Sequence, residues 1–479
     1  MTDQEKSISI PLRYRPDEIT ITSDSPFQND KLNREPFVTA TTNLLRAIPD
    51  PFVIALNAPW GSGKTTTLRL LEPNLKKAGI TTVSFNAWEI DDATDPLVPL
   101  VAALHDRFLE IKGYAPDADN DKIERWKKVG STIAKHTAIV AVKAATAGLF
   151  DIGAAANGVA KAVENATEEA EKDLANDLID AFKKERQAAQ QFHSLLEELI
   201  SHVRSANGDN VDQPPVVLII DELDRCRPTF AVAMLERIKH FFNVPGLVFV
   251  LSLDLEQLKA STHKVYGAEL DATEYLRRFI DLELRLPQED NIGDMVNAML
   301  TNCGADAFFS ARQNYGELRE DRQWIVSVTK DLAMYFELSP RIIQRMISRL
   351  MLVLRQTPQD SYLDPVIVVF MIFLRVRNEQ LLKEFMTGRA QASNVMDTLR
   401  IASSGGQAFY DSDSGIMIEA YLLRAHQNQY KYVEQFLQRA TELVDKSNNR
   451  QTINIADQRT IDVARRYEHI RRANYGHWG

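Results

Sequence analysis

The sequence predicts an α/β fold in which a parallel β-sheet lies between two layers of helices and is followed by an all-helical C-terminal region. Short apolar runs alternate with helical patterns from Phe52 to Pro287, and turn residues or acidic clusters separate them. The run Val216–Ile220 is continuously apolar, as expected for a central parallel strand buried on both faces. From residue 288 to residue 479 the pattern is helical throughout.

Composition sets limits on the class of protein. The 479 residues suffice for two or three domains, and 44% hydrophobic residues can form a sizeable core. A net charge of -10 argues against a chain that coats DNA or RNA as a whole, although a local basic patch stays compatible with such binding. With only two cysteines we expect no disulfide framework and a cytoplasmic location. No apolar run approaches the roughly 20 residues of a transmembrane helix, so we expect no membrane span.

Changes in pattern divide the sequence into five segments. An N-terminal arm covers residues 1–26, and the sheet domain is formed by residues 27–112 and 213–290. Between these two parts lies a predicted helical insertion, 113–212, which is rich in Ala, Glu, Lys and Asp and has almost no strand pattern. Residues 291–479 form the helical C-terminal region.

The segment Ala58–Thr65 reads APWGSGKT and departs from the pattern GxxxxGK[ST] only at its first position. In this pattern glycines let backbone N–H groups face phosphate oxygens, the Lys reaches the β- and γ-phosphates, and the hydroxyl ligates magnesium. A strand precedes the segment and a helix opens at Lys64, so a chance glycine-rich turn is the weaker interpretation. We therefore predict ATP and Mg²⁺ as ligands. The residues expected at the nucleotide are Pro59, Trp60, Gly61, Ser62, Gly63, Lys64, Thr65 and Thr66.

Acidic residues follow the apolar strand directly, in the sequence VVLIIDELDRC. A P-loop enzyme needs an Asp at a second strand end for the magnesium shell, and a group that prepares the attacking water. We predict Asp221, with Thr65, for the metal and Glu222 for the water. The alternative is that these acidic residues only cap the next helix.

A third strand, VFVLSLD, ends in Ser252 and Asp254. A polar side chain beside the metal strand is a candidate sensor of the γ-phosphate, and we assign this role to Ser252. The alternative for Ser252 is a simple turn at the end of the strand.

Together, WGSGKT (60–65), FNAW (85–88), IIDELDRCRP (219–228) and VFVLSLD (248–254) resemble the KAP family of P-loop NTPases. The resemblance covers roughly residues 27–350. It implies an ATPase in which Glu222 is the general base, where the family often has Asp. Many members carry transmembrane helices in the insertion, whereas the insertion here is charged, which implies a soluble member. Family members have been linked to phage exclusion in bacteria and to membrane-associated signalling complexes in animals.

The resemblance also implies candidate arginines that neutralise phosphate charge. Arg277 and Arg278 lie where related ring-forming ATPases keep an arginine that acts on a neighbouring subunit, and Arg341 resembles the C-terminal sensor arginine of those enzymes. Surface salt bridges are the alternative for all three. Main-chain groups of residues 30–36 are expected near adenine.

Two functions from different classes stay open. The first is an ATPase that acts as a switch or motor on protein partners, as part of a homo-oligomer or of a bacterial anti-phage system. The second is a nucleotide-gated scaffold with little turnover. A kinase ranks below both, because the sequence shows no substrate-binding lid. The arginine-rich stretch after Gln458 is a candidate for phosphate-rich partners, with a solvated helix face as the more common explanation.

Overall fold

The computed structural model describes residues 20–93, 213–287, 291–316, 318–425, 430–448 and 454–473, with isolated positions between 96 and 204. The described residues form two compact units. Of the described residues, those at 21–28 and between 34 and 287 form the sheet unit, and Thr20, those at 29–33 and those between 291 and 473 form the helical unit. Most of the predicted insertion and residues 1–19 of the predicted arm lie outside the described residues.

The sheet unit is built on one parallel sheet with the strand order β2-β3-β4-β1-β5. This confirms the parallel α/β fold expected from the sequence. Its strands are β1 (Phe52–Asn57), β2 (Thr82–Asn86), β3 (Val216–Asp221), β4 (Leu247–Leu253) and β5 (Leu282–Arg285). Its labelled helices are α1 (Glu35–Arg46), α2 (Lys64–Lys77), α3 (Pro228–Phe241), α4 (Leu255–Tyr266) and α5 (Ala272–Leu276).

Two hydrophobic cores cover the two faces of this sheet, because successive side chains of a strand point to opposite faces. On β1, Ile54 packs with α1 and α2, whereas Val53 packs on the opposite face with α3 and α4. The helical residues Leu196 and Ile200 are also buried on the α3 side. The arrangement is therefore three-layered, with helices on both sides of the sheet.

All described secondary structure of the helical unit is helical, which confirms the all-helical C-terminal region. The bounds are α6 (Ile292–Asn302), α7 (Asp306–Arg312), α8 (Asp321–Tyr335), α9 (Pro340–Gln356), α10 (Pro365–Arg377), α11 (Glu379–Met386), α12 (Ala392–Ile401), α13 (Gly406–Asp411), α14 (Asp413–Ala425), α15 (Tyr430–Asn448) and α16 (Ile455–Ala473). Within the described residues no helix combines the length and the apolar character needed to cross a bilayer.

Two of the ion pairs in the described part of the helical unit are buried. Arg312 is completely buried, and its Nη2 contacts Asp321 Oδ2 at 2.6 Å while its Nη1 donates to the carbonyl oxygen of Ser361. Arg459 pairs with the buried Glu419, and its guanidinium lies over the ring of Tyr410. Because Arg459 is committed to this internal pair, it is not part of a solvated basic face.

Candidate functional site

The predicted phosphate loop connects β1 to α2, and its glycines adopt the backbone that the motif requires. Gly61 has φ 84° and Gly63 has φ 88°, a region that side chains with a Cβ enter only at a cost. Ala58 is not among the described residues with positive φ, so an alanine at the first motif position causes no strain. Helix α2 begins at Lys64, directly after the second glycine.

The ammonium group of Lys64 lies against the loop backbone. Its Nζ donates to the carbonyl oxygens of Ala58 at 2.6 Å and Pro59 at 3.4 Å. Burial lowers the pKa of Lys64, while the carboxylates of Asp224, Asp254 and, less strongly, Asp221 act in the opposite direction. A partly buried cation among carboxylates at the carboxyl edge of a parallel sheet is suited to bind the phosphates of a nucleotide.

Asp221, at the end of β3, forms hydrogen bonds with the phosphate loop and with the end of β4. Its Oδ2 accepts a hydrogen bond from the Thr65 hydroxyl of the loop at 2.7 Å. Its Oδ1 accepts one from the Ser252 hydroxyl at 2.6 Å and one from the Glu222 N–H at 2.9 Å. Asp221 and Ser252 are register partners in the β3–β4 pair, so their meeting follows from the strand alignment. The structure therefore brings the two predicted metal ligands together.

Glu222 is held by two further residues whose roles the sequence did not indicate. Its backbone has φ 61°, an uncommon conformation for a residue with a side chain. The Asn86 amide donates to Glu222 Oε2 at 3.0 Å, and Arg225 Nη1 lies 2.6 Å from Glu222 Oε1. The Arg225 guanidinium also lies over the indole of Trp88, 5.5 Å from the ring centroid. Both carboxylate oxygens of the predicted general base are thus occupied.

Asp224 fastens the loop to β4. Its Oδ2 accepts hydrogen bonds from the indole N–H of Trp60 and from the N–H of Asp254, at 3.0 Å in the second case. Burial raises the pKa of Asp224, and the nearby Lys64 opposes this effect. Trp60 is therefore an anchor of the loop rather than a free base-stacking surface.

Arg34 also supports the loop, from a position far away in the sequence. Its Nη1 donates to the carbonyl oxygen of Pro287 at 2.7 Å and its Nη2 to that of Ser62 at 3.3 Å. Arg34 is almost completely buried. Among residues 30–36, which were expected near adenine, Arg34 thus contacts the loop through its side chain.

Arg277 and Arg278 lie outside this cluster. Arg277 pairs with Glu274 on the exposed surface, and Arg278 is also exposed. They precede Asp281, whose backbone and carboxylate bond to Val53 at the start of β1. The pair therefore lies toward the amino ends of the strands, away from the phosphate loop of its own chain. Their action on a neighbouring subunit stays a prediction.

Arg341 belongs to the helical unit. It is exposed in the first turn of α9, one residue after Pro340, which confirms that a helix opens at this proline. Its role as a sensor of nucleotide stays a prediction.

Cys226 follows the acidic cluster and is buried at the start of the turn into α3. Its thiol donates to the carbonyl oxygen of Glu222, with a sulfur–oxygen distance of 3.7 Å. Burial, assisted by Asp91, raises the pKa of Cys226 to about 12. A thiol with this pKa stays protonated at neutral pH and is a packing residue rather than a nucleophile.

The loop, its buried lysine and the carboxylate that meets its threonine define a nucleotide-binding protein of the P-loop class. The family model described as the KAP family P-loop domain matches residues 34–357. This match covers more than half of the 479 residues, and the chain belongs to the KAP family.

Two solved structures of the ORC2 protein of Aeropyrum pernix are similar to this chain. The first, of ADPNP–ADP complexes, has 12% identity over 82% of this chain and 78% of the other, with a TM-score of 0.34. The second, an ADP form, has 11% identity over 81% and 83%, with a TM-score of 0.31. No curated protein matches the sequence. Since these TM-scores are low, the fold assignment rests on the strand order and on the family model.

Proposed function

We propose that this chain is a magnesium-dependent ATPase whose nucleotide state switches its contacts with a protein partner. The observation that carries the proposal is the 2.7 Å contact between the loop hydroxyl of Thr65 and the strand-end carboxylate of Asp221. This contact joins the segment that follows β1 to the end of β3, and β4 lies between these two strands in the sheet. Asp221 also interacts electrostatically with the Lys64 ammonium, which supports a site where a cation, a hydroxyl and a carboxylate act on one phosphate group, as phosphoryl transfer requires.

The oxygen atoms at this position fit a magnesium ion. Mg²⁺ is bound by few protein oxygens and completes its shell with water and phosphate oxygens, and Thr65 and Asp221 offer one hydroxyl and one carboxylate. When bound, the ion neutralises charge that develops on the phosphates.

The residues of the chain take distinct roles in the proposal. Lys64 binds the β- and γ-phosphates after exchanging the Ala58 carbonyl for phosphate oxygens. Glu222 accepts the proton of the attacking water, and Ser252 senses the γ-phosphate beside Asp221. Arg341 and, from a neighbouring copy, Arg277 or Arg278 are the proposed sources of further positive charge.

Replacement of the loop lysine tests nucleotide binding. Lys64→Ala is expected to weaken MgATP binding by at least about 30-fold, because a charge-assisted contact with the phosphates is lost. Lys76→Ala is the matched control, since Lys76 is exposed on the same helix α2 and should leave the affinity unchanged. Equilibrium binding of a fluorescent ATP analogue, with and without EDTA, measures both. Equal affinities of Lys64→Ala and the wild type would refute the site.

The second candidate is a nucleotide-gated scaffold with little turnover. It is favoured by one observation, namely that Asn86 and Arg225 occupy both carboxylate oxygens of Glu222. Glu222→Gln discriminates the two functions. An ATPase should lose its turnover and retain bound ATP, whereas a scaffold should show the same slow phosphate release before and after the change. A role in anti-phage defence rests on the family resemblance alone and belongs to this proposal as the biological setting to be tested.

A further inference from the structure

We infer that the turn Ala87–Ile90 after β2 restrains the general base, and that Arg225 is the positioning residue through which it does so. This inference rests on the proposed ATPase function and concerns the regulation of the same site. The starting observation is the number of contacts on one carboxylate. Glu222 Oε1 contacts the Arg225 guanidinium at 2.6 Å and Glu222 Oε2 accepts from the Asn86 amide at 3.0 Å.

A general base must present a free lone pair to the proton that it accepts. The guanidinium of Arg225 neutralises the charge of Glu222 and occupies one oxygen, while Asn86 occupies the other. Each oxygen retains a second lone pair, but the two contacts hold the carboxylate in one orientation and balance its charge, so we expect proton transfer from water to be slower until one partner is released. The contact is partly shielded from solvent, since the Arg225 and Glu222 side chains are 24% and 15% exposed.

Both restraining contacts depend on Trp88 in this turn, because Trp88 contacts Asn86, the last residue of β2, and also Arg225. Asn86 accepts from the Trp88 N–H through its Oδ1 at 3.0 Å while its amide nitrogen donates to Glu222. Arg225 is seated on the Trp88 indole, 5.5 Å from the ring centroid. We therefore expect a displacement of the turn to weaken two contacts together, namely the hydrogen bond from Asn86 to Glu222 and the stacking of the Arg225 guanidinium on the Trp88 indole.

The turn is exposed to solvent and can therefore be contacted by a binding partner. Trp88 is 52% exposed, although an indole of this size is normally more buried. Asp91, which follows the turn, accepts from the Arg227 N–H at 2.9 Å and so ties the turn to the start of α3. A change at this surface thus reaches Glu222 through the side chains of Asn86 and Arg225, neither of which belongs to the phosphate loop.

The geometry predicts the kinetic effect of loosening the restraint. Arg225→Gln should raise kcat for ATP hydrolysis about fivefold, the factor that corresponds to one partly exposed ion pair, and should leave KM within a factor of about two. Asn86→Ala should raise kcat in the same direction, and the double variant should exceed either single one. Trp88→Ala should produce a smaller rise, because the Arg225–Glu222 pair remains.

The experiment uses the full chain and measures MgATP binding and phosphate release for each variant, with the thermal midpoint as a check of folding. Arg225→Lys is the conservative variant and should retain wild-type kcat, since a cation remains beside Glu222. Glu222→Gln added to Arg225→Gln should abolish the gain. Lys239→Gln, at an exposed position of α3, is the control for removal of a positive charge from the sheet unit and should leave kcat unchanged.

The outcomes separate this inference from the proposed function. A wild type that does not bind MgATP would overturn both. If MgATP binds but Arg225→Gln and Asn86→Ala leave kcat unchanged or lower it, the restraint is overturned while the nucleotide site stands. If the wild type binds MgATP without measurable turnover, the double variant should begin to hydrolyse it, and continued absence of hydrolysis would also overturn the restraint.

Discussion

The two units of this chain use their charged side chains in opposite ways. In the sheet unit, charged groups gather at the carboxyl ends of β1, β3 and β4, where they are partly exposed and shared among several partners. In the helical unit, Arg312 and Asp321 form a pair inside the hydrophobic core, with backbone carbonyls completing the contacts of the arginine. Burial of charge alone therefore does not identify a site. The charged groups of the sheet unit make contacts that a ligand can replace. The buried pair of the helical unit instead fixes how helices pack.

The largest effect that tests this comparison is expected inside the helical unit. Asp321→Ala should lower the free energy of unfolding by about 3–5 kcal/mol, because it leaves the guanidinium of Arg312 buried without a counter-charge. The exposed pair Arg400–Asp397, with a 3.5 Å contact, provides the control, and Asp397→Ala should cost about 0–1 kcal/mol. Urea denaturation followed by circular dichroism measures both variants. Losses of equal size would remove the distinction between the buried and the exposed pair.

A second effect depends on pH. Burial raises the pKa of Asp364, at the start of α10, from 3.8 to about 6, and its Oδ1 has no hydrogen-bond partner in the described part of the chain. The folded state therefore holds this proton more tightly, and the stability that this provides is present below pH 3.8 and lost as pH rises through about 6. Asp364→Asn should stabilise the protein at pH 7 by up to about 3 kcal/mol.

The same variant should also flatten the pH dependence of stability between about pH 4 and pH 6 relative to the wild type. Thermal midpoints recorded across this range provide the measurement. A difference between variant and wild type that does not change with pH would show that Asp364 keeps its ordinary pKa.

The smallest effect is expected at the sheet edge. Ser252→Ala removes one hydrogen bond to Asp221 and should cost about 1 kcal/mol of stability. If Ser252 senses the γ-phosphate, the variant should lose affinity for ATP while its affinity for ADP stays unchanged. Calorimetric titration with both nucleotides distinguishes these results, and an equal loss for ATP and ADP would leave Ser252 only the structural role beside Asp221.

Local patterns account for the parts of the fold that could be predicted from the sequence. The glycines of the loop, the apolar run of β3 and the helix that opens at Lys64 are each specified by neighbouring residues. The parallel sheet followed by helices was therefore predictable.

The contacts of the predicted base were not predictable in the same way. Asn86 contacts Glu222 because β2 lies beside β3 in the sheet. The order of strands in a sheet cannot be predicted from any single short segment. Arg34 contacts Ser62 across 28 residues and Pro287 across 253 residues, so only the fold places its guanidinium on the loop. The one available signal was that FNAW and DELDRC both carry polar residues at strand ends.

The buried cysteine beside the acidic strand has a further consequence for how this edge can be followed in time. Only the thiolate form of a cysteine reacts readily with alkylating reagents, and the raised pKa of Cys226 together with its burial keeps that form scarce. Covalent labelling of Cys226 must therefore wait until the end of β3 separates from the start of α3. The labelling rate of Cys226 therefore reports how often the segment next to Asp221 and Glu222 opens locally. These are the residues proposed to bind the metal and to prepare the water.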